Sequence, residues 1–276
     1  MKYALFLGCK IPFQLPAYEA STRAVLARLG VDLVDLEFDC CGYPARNFSR
    51  DAFVAAAAHN LALAERAGLD LLTPCKCCYG SLRHAVRFLH EDAPLRARIA
   101  HALAAEGLAW TGAHEIEHLL PLLAKKLGAE ALAAAVRVPQ SGLRIAAQYG
   151  CHALRPSDVT DFDNPMAPTL FETLIGITGA TALDWPGRTE CCGDPLHTAN
   201  AALAQRIARS KLEDAHECGA DAVCTACPHC HLRLDGAQAG EHGIPVRALL
   251  YTQLLGRALG LPEAALGLAP GPSRTA

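Results

Sequence analysis

The sequence predicts an α/β protein of two similar halves. Each is a small parallel sheet with flanking helices and a cluster of cysteines at the carboxyl ends of its strands. Three observations carry this expectation. Short apolar runs alternate with longer helical runs, the order that gives parallel sheets with right-handed crossovers. The cysteines form two sets in one order: Gly8-Cys9, Cys40-Cys41-Gly42 and Cys75-x-x-Cys78, then Gly150-Cys151, Cys191-Cys192-Gly193 and Cys227-x-x-Cys230. Their spacings, Cx30CCx33CxxC and Cx39CCx34CxxC, mark an internal duplication. Finally, every cysteine group follows a predicted strand, so groups distant in sequence meet at one sheet edge, where open α/β sheets bind ligands. The halves are expected to span residues 1–136 and 137–276, divided at RVPQSGL (137–143), and to be related by a pseudo-two-fold axis.

In chain order, KYALFLG (2–8) reads as a short apolar strand. AYEASTRAVLARLG (17–30) reads as a helix, with Pro16 near its first turn and Gly30 past its end. VDLVDL (31–36) is a second strand. Residues 49–68 form a helix with Ser49 as N-cap and Gly68 as stop. LDLLT (69–73) is a third strand, and a helix is predicted to begin near Tyr79. In the second half the strands are RIAAQYG (144–150), TALDW (181–185) and DAVCT (221–225), with helices at 166–177, 196–217 and 230–238. Each gap between cysteine groups is then one strand–helix circuit long. The Pro/Gly-rich end LPEAALGLAPGPSRTA is expected to be a loose tail.

Composition narrows the function. With 51% apolar and 19% charged residues, the 276-residue chain should pack as a globular protein. A formal charge of −3 argues against nucleic acid as a partner. No apolar run reaches the ~18 residues of a membrane helix. The apolar core of MKYALFLGC is too short for a lipoprotein signal, so a cytoplasmic location is expected. There is no GxGxxG and no P-loop, which argues against nicotinamide, flavin or ATP binding in this chain. Electrons would then come from another polypeptide.

Thirteen cysteines, in a chain too long and too Ala/Leu-rich for a disulfide-stapled scaffold, point to metal or redox chemistry. Each half gathers five. A structural zinc site needs four cysteines, and so does a cubane [4Fe–4S] cluster. A Cys-Cys pair brings two sulfurs together on one loop, where they can serve neighbouring irons or share one. The following glycine lets the backbone turn tightly, and a helix N-terminus after CxxC favours thiolate charge. A thiol–disulfide site, and zinc in one or both halves, remain open on these grounds.

The duplicated pattern resembles the CCG, or cysteine-rich, domains of the B-type subunit of heterodisulfide reductase. MKYALFLGCKIP, LTPCKCCYGSL, YGCHALRPS and TACPHCHLRLD carry the resemblance over nearly the whole chain. The same domain resembles part of the E-type subunit of succinate dehydrogenase and the iron–sulfur subunit of glycolate oxidase. The resemblance implies a non-cubane [4Fe–4S] cluster in each half, with zinc the alternative in one. The implied ligands are Cys9, Cys40, Cys41, Cys75 and Cys78, then Cys151, Cys191, Cys192, Cys227 and Cys230. It implies an oxidoreductase that cleaves or forms a disulfide or sulfane-sulfur bond within a complex. Two further polypeptides are implied as partners: a ferredoxin-like iron–sulfur subunit, of the C type, with a flavoprotein subunit, of the A type. In the methanogen enzyme the substrate is a mixed disulfide of two coenzymes; in relatives from bacterial sulfur-oxidising complexes it is a protein-bound sulfur. The competing role is an electron-relay or docking subunit of a membrane-associated dehydrogenase, as the likeness to succinate dehydrogenase allows.

Cys77 lies inside CKCC, where the family often has glycine; the CxxC of the second half selects Cys75 and Cys78 as ligands. Cys218 and Cys224 read as surface or core thiols. His152, His229 and His231 flank ligand cysteines, where a histidine could protonate a departing thiolate, though surface or supporting roles suffice. Lys10 and Lys76 could offset cluster charge or could be solvated surface lysines.

Overall fold

The computed structural model describes residues 1–238 and 243–268. Its first half runs β1 (Lys2–Leu5), α1 (Lys10–Gln14), α2 (Pro16–Arg28), β2 (Asp32–Val34), α3 (Arg50–Arg66), β3 (Asp70–Thr73), α4 (Lys76–Glu91), α5 (Ala93–Ala105) and β4 (Ile116–His118). A helical segment with a π-helical stretch follows, from α6 (Leu119–Pro121) through Leu122–Gly128 to α7 (Ala129–Ala135). The second half runs β5 (Arg144–Gln148), α8 (Cys151–Leu154), α9 (Ser157–Thr160), α10 (Leu170–Ile177), β6 (Thr181–Leu183), α11 (Ala201–Glu217), β7 (Ala222–Thr225), α12 (Pro228–Gln238), β8 (Arg247–Leu250) and α13 (Tyr251–Ala258).

Two four-stranded sheets result, ordered β2-β1-β3-β4 and β6-β5-β7-β8, with every pairing parallel. The chain is therefore α/β, with one topology used twice. The matching helices α3 and α11 each have 17 residues and a small polar N-cap. Ser49 accepts the Ala52 N–H and Asn200 accepts the Leu203 N–H. Such caps stabilise a helix by about 1 kcal/mol.

Several expectations need correction. The helix expected near Tyr79 begins at Lys76, because Cys75 is its N-cap: its Sγ accepts the Cys78 N–H at 3.3 Å. Likewise α12 starts two residues early, at Pro228, since proline suits a first helical turn. Residues 166–169 are not helical. Asn164 Oδ1 takes the Met166 and Ala167 N–H groups, and Asp163 Oδ2 takes those of Thr169 and Leu170, so the side chains compete with helix formation. The helix expected from residue 196 begins at Ala201, after a 3₁₀ turn at Asp194–Leu196. The fourth strands, β4 and β8, are absent from the sequence reading; at three and four residues they are too short to show alternation. The expected loose tail is partly ordered, with a 3₁₀ turn at Glu263–Leu266 that buries Leu266. Its remainder, 269–276, lies outside the described residues.

The larger buried cluster runs through both halves, from Phe6 and Leu72 to Ile145, Phe171 and Tyr251. A smaller one gathers Trp185, Leu212, Val223 and Leu234 in the second half. The buried bond between Ser21 Oγ and Thr252 Oγ1, 2.7 Å long, also ties the halves.

Candidate functional site

All the strands run parallel, so each half presents its three cysteine groups beyond the same end of a sheet. Cys9 follows β1 and precedes α1; Cys40 and Cys41 lie between β2 and the 3₁₀ turn Tyr43–Asn47; Cys75 follows β3 and caps α4. Cys151, Cys191-Cys192 and Cys227 hold the same places in the second half. The glycine of each Cys-Cys-Gly trio is in the left-handed region, with φ +82° at Gly42 and +86° at Gly193. A Cβ there would stand 2.5 Å from the Phe53 carbonyl oxygen or 2.9 Å from that of Ala204. The motif therefore needs glycine both to turn and to pack on α3 or α11.

The ten cysteines expected as ligands come together as two strings of neighbouring sulfurs. Cys9 meets Cys40, Cys40 meets Cys41, Cys41 meets Cys78, and Cys78 meets Cys75. In the second half Cys151 meets Cys191 at 4.0 Å, and the string continues through Cys192 and Cys230 to Cys227. The two strings meet: Cys75 neighbours Cys227, and Cys77 neighbours both. The neighbouring Cys41 and Cys9 thiols favour the Cys40 thiolate and bring its pKa down to about 2. Cys191 is brought equally low by Cys151 and Cys192. Cys9 is exposed and Cys151 half-buried, so the first string lies more open to solvent at its end.

Among the described residues, no three His, Cys, Asp or Glu side chains are arranged to hold a single metal ion. The strings are extended sets of sulfurs instead. Five neighbouring sulfurs in each half, one of them favoured as thiolate, match the donor chemistry of an iron–sulfur cluster. Backbone N–H groups already point at two of them, Cys78 N at Cys75 Sγ and Gly193 N at Cys191 Sγ, 3.3 and 3.4 Å away. The residues present fit such a group.

A narrow cleft of about 20 Å³ lies where the strings meet. Tyr43, Lys76 and Cys77 line it from the first half, and Cys151, His152, Cys227 and His229 from the second. His152 Nδ1 stands 3.6 Å from Cys77 Sγ and 3.5 Å from Cys151 Sγ, and burial depresses its pKa. Burial also disfavours the His229 cation. The Asp194 carboxylate, 2.6 Å from Nδ1, outweighs burial and, with the nearby thiolates, lifts His229 to about 9. His231 does not line the cleft.

Two lysines distinguish the second half. Lys76 is no surface residue: it is 1% exposed and crosses from the first half to donate to the Gln148 carbonyl at 3.0 Å. Burial lowers its pKa to about 8 against the pull of Cys230 and Cys227. Sequence reasoning misses Lys211. It is 4% exposed and donates to the Gly187 carbonyl over the Trp185 ring. A signal exists: Lys211 shares a helix face with Ala204, Ala208, Leu212 and Ala215, all buried. Lys10 remains half-buried. Cys218 is exposed at the end of α11, and Cys224 is buried in β7.

The family model described as a cysteine-rich domain, CCG, matches residues 3–83 and again 145–235. The chain belongs to the CCG family. Its CCG segments coincide with the two sulfur strings. Over 97% of its length it is 36% identical to the B-type subunit of the ferredoxin/F420H2-dependent CoB-CoM heterodisulfide reductase of Methanosarcina acetivorans, covering 92% of that protein. An Archaeoglobus profundus protein, described as like the B-type subunit of heterodisulfide reductase, is 32% identical over 99% of the chain and 95% of its own length. The 8-methylmenaquinol:fumarate reductase membrane anchor subunit of Wolinella succinogenes is 33% identical over 97% of the chain and 95% of its own length. Among solved structures, a hypothetical protein from Helicobacter pylori shares the fold, with a TM-score of 0.78 and 19% identity over 96% of this chain and 50% of that one. CCG relatives that serve as subunits of reductase complexes support a redox role in a complex. Among the described residues no helix is long and apolar enough to cross a membrane.

Proposed function

We propose that this chain is the iron–sulfur catalytic subunit of a heterodisulfide reductase-like complex, cleaving or forming a disulfide or sulfane-sulfur bond at paired non-cubane [4Fe–4S] clusters. One observation carries the reading: the two sulfur strings meet at Cys75 and Cys227, beside a cleft lined from both halves. We assign Cys9, Cys40, Cys41, Cys75 and Cys78 to one cluster, and Cys151, Cys191, Cys192, Cys227 and Cys230 to the other. The domains that carry them are residues 1–136 and 137–276. When bound, the clusters supply electrons and a metal site for each departing sulfur.

The chain's own groups supply the rest. Tyr43 meets the His152 ring edge-on at 5.1 Å, forming one wall of the cleft. His229, kept protonated by Asp194, is the acid that gives its proton to a leaving thiolate. Lys76 fixes the floor from below. The partners are a ferredoxin-like iron–sulfur polypeptide and a flavoprotein, in a cytoplasmic complex. The substrate class is a disulfide or a protein-bound sulfur.

The likeness to a fumarate reductase membrane anchor subunit favours a second reading. There the chain relays electrons or docks a membrane-associated dehydrogenase, with zinc in one half. Anaerobic iron, sulfide and zinc content per chain separates the two. Cys41→Ala and Cys192→Ala should each lose the iron of one half, and the exposed Cys218→Ala should lose none. One zinc per chain with half the iron would favour the second reading, and equal loss in all three variants would overturn both.

A further inference from the structure

Corresponding places in the two halves hold different chemistry. Asn60 and Lys211 occupy the same position, the eleventh, of α3 and α11. Asn60 is neutral and binds the Asp39 N–H and the Cys40 carbonyl. Lys211 puts a buried ammonium near Cys230 and Cys192, 4.9 Å from the Trp185 ring centre. Lys76 adds a second ammonium, which faces Cys230 and Cys227 and lies 4.7 Å from the centre of the Phe171 ring. Its counterpart in the second CxxC is the uncharged Pro228; the His229 beside it does act on Cys40 and Cys75 of the first string, but its charge is offset by Asp194.

The first string is furnished otherwise. Phe6, where the second half has Gln148, packs edge-on against Phe38 at 5.1 Å. Apart from Lys76, whose ammonium is carried across to the Gln148 carbonyl, the cations nearest its cysteines in sequence are Lys10, half-buried, and Arg46, exposed, so solvent screens them. His118 is buried, but its Nδ1 accepts the Leu120 N–H, so that ring nitrogen carries no proton. His229 is matched by Asp194. The carboxylates that could cancel the lysines are themselves engaged or exposed: Glu172 accepts from Tyr149 and lies 4.0 Å from Arg188, and Glu190 faces solvent.

We propose that Lys76 and Lys211 make the C-terminal iron–sulfur centre the more easily reduced of the two, so that the electron rests on the second string. The physical reason is that buried cations act through a low-dielectric medium, where they stabilise added negative charge far more than surface cations do. The step is a one-electron transfer from a reduced iron–sulfur donor: the donor loses one electron and the C-terminal centre gains it, with no bond or proton exchanged. This inference rests on the reading that each string holds a centre.

The test is a potentiometric titration of the loaded chain followed by EPR. The single-centre variants Cys41→Ala and Cys192→Ala assign the signals. In the unaltered chain the C-terminal centre should be favoured at least about tenfold in its reduction equilibrium, which is about 59 mV for one electron. Lys76→Gln and Lys211→Gln keep a donor for the Gln148 and Gly187 carbonyls but remove the charge. Each should move the C-terminal centre to lower potential and leave the N-terminal one unmoved; Lys211→Arg should restore the order. Asn60→Lys, which adds the cation to the other half, should raise the N-terminal centre instead. Two centres in the opposite order, or lysine variants that shift both equally, would overturn the inference alone. A chain that binds no iron would overturn the reading beneath it.

Discussion

Around the first string the buried groups are the Phe6 ring and the Asn60 amide; around the second they are the Lys76 and Lys211 ammoniums, Gln148 and Tyr149, with the first half's His118 imidazole near Cys227. The sulfurs themselves are strung in one order in both. Duplication preserved what holds the sulfurs and left free what surrounds them. A ligand position has few substitutes, because only a thiolate of the right reach will serve. A residue beneath it needs only to fill space and satisfy its own polar atoms, so Asn60 and Lys211 are both tolerated.

The sharpest way to break this comparison is to ask whether either string works alone. In the assembled complex, disulfide turnover of Cys41→Ala and of Cys192→Ala should each fall by more than about 100-fold, beyond the 10–100-fold typical of outer-shell partners. The double variant should fall hardly further, the non-additivity of groups acting as a unit. If one single variant keeps substantial turnover, the halves are independent and paired cleavage is wrong.

A smaller effect separates the halves by pH. His118 ends β4, where the second half ends β8 in Leu250. Burial, aided by the Lys76 charge, pushes the His118 pKa down to about 3. Below its ordinary pKa of about 6.5 the unfolded chain takes up a proton that the folded chain refuses, so stability is present above that value and lost as pH falls towards 3. Between pH 6.5 and pH 5 the loss is about 2 kcal/mol at 1.36 kcal/mol per pH unit. Denaturant unfolding of His118→Leu at pH 7 and pH 5 should show a pH dependence weaker by about that amount. An unchanged dependence would show that the burial of His118 does not matter.

The smallest difference lies in the glycines that precede the first cysteine of each set. Gly8 and Gly150 have φ of +65° and +75°. Alanine at either should cost roughly 1–2 kcal/mol from the left-handed backbone alone. A Cβ at Gly8 would stand 2.7 Å from Cys78 Sγ, against 3.3 Å from Cys230 Sγ at Gly150. Thermal unfolding should therefore show Gly8→Ala the more damaging. Equal damage would mean the two sulfur cradles are equally roomy.

Much of this is legible in residues 1–276 alone. The repeat assigns the two halves, and strand-then-cysteine order puts three groups at one sheet edge. The helix caps Ser49 and Gly68 stand where the sequence predicts them. The beginning of α4 is hard to read because cysteine is an unusual cap, and the short β4 and β8 carry too little pattern. Lys76 is legible as a charge beside a ligand, but not as a buried one.

The sequence by itself determined the ten-sulfur inventory, its division into two sets and the α/β frame, because spacing and periodicity are local properties of the chain. Only the tertiary structure decided that the sets meet at Cys75 and Cys227, that Cys77 lies between them, and that Lys76 leaves its own half to lie under the other. Those facts depend on how one sheet is set against another, and that follows from a buried core shared by both halves. No run of neighbouring residues encodes such a core. It emerges from side chains such as Phe6 and Phe171, far apart in the chain, competing for the same space away from water.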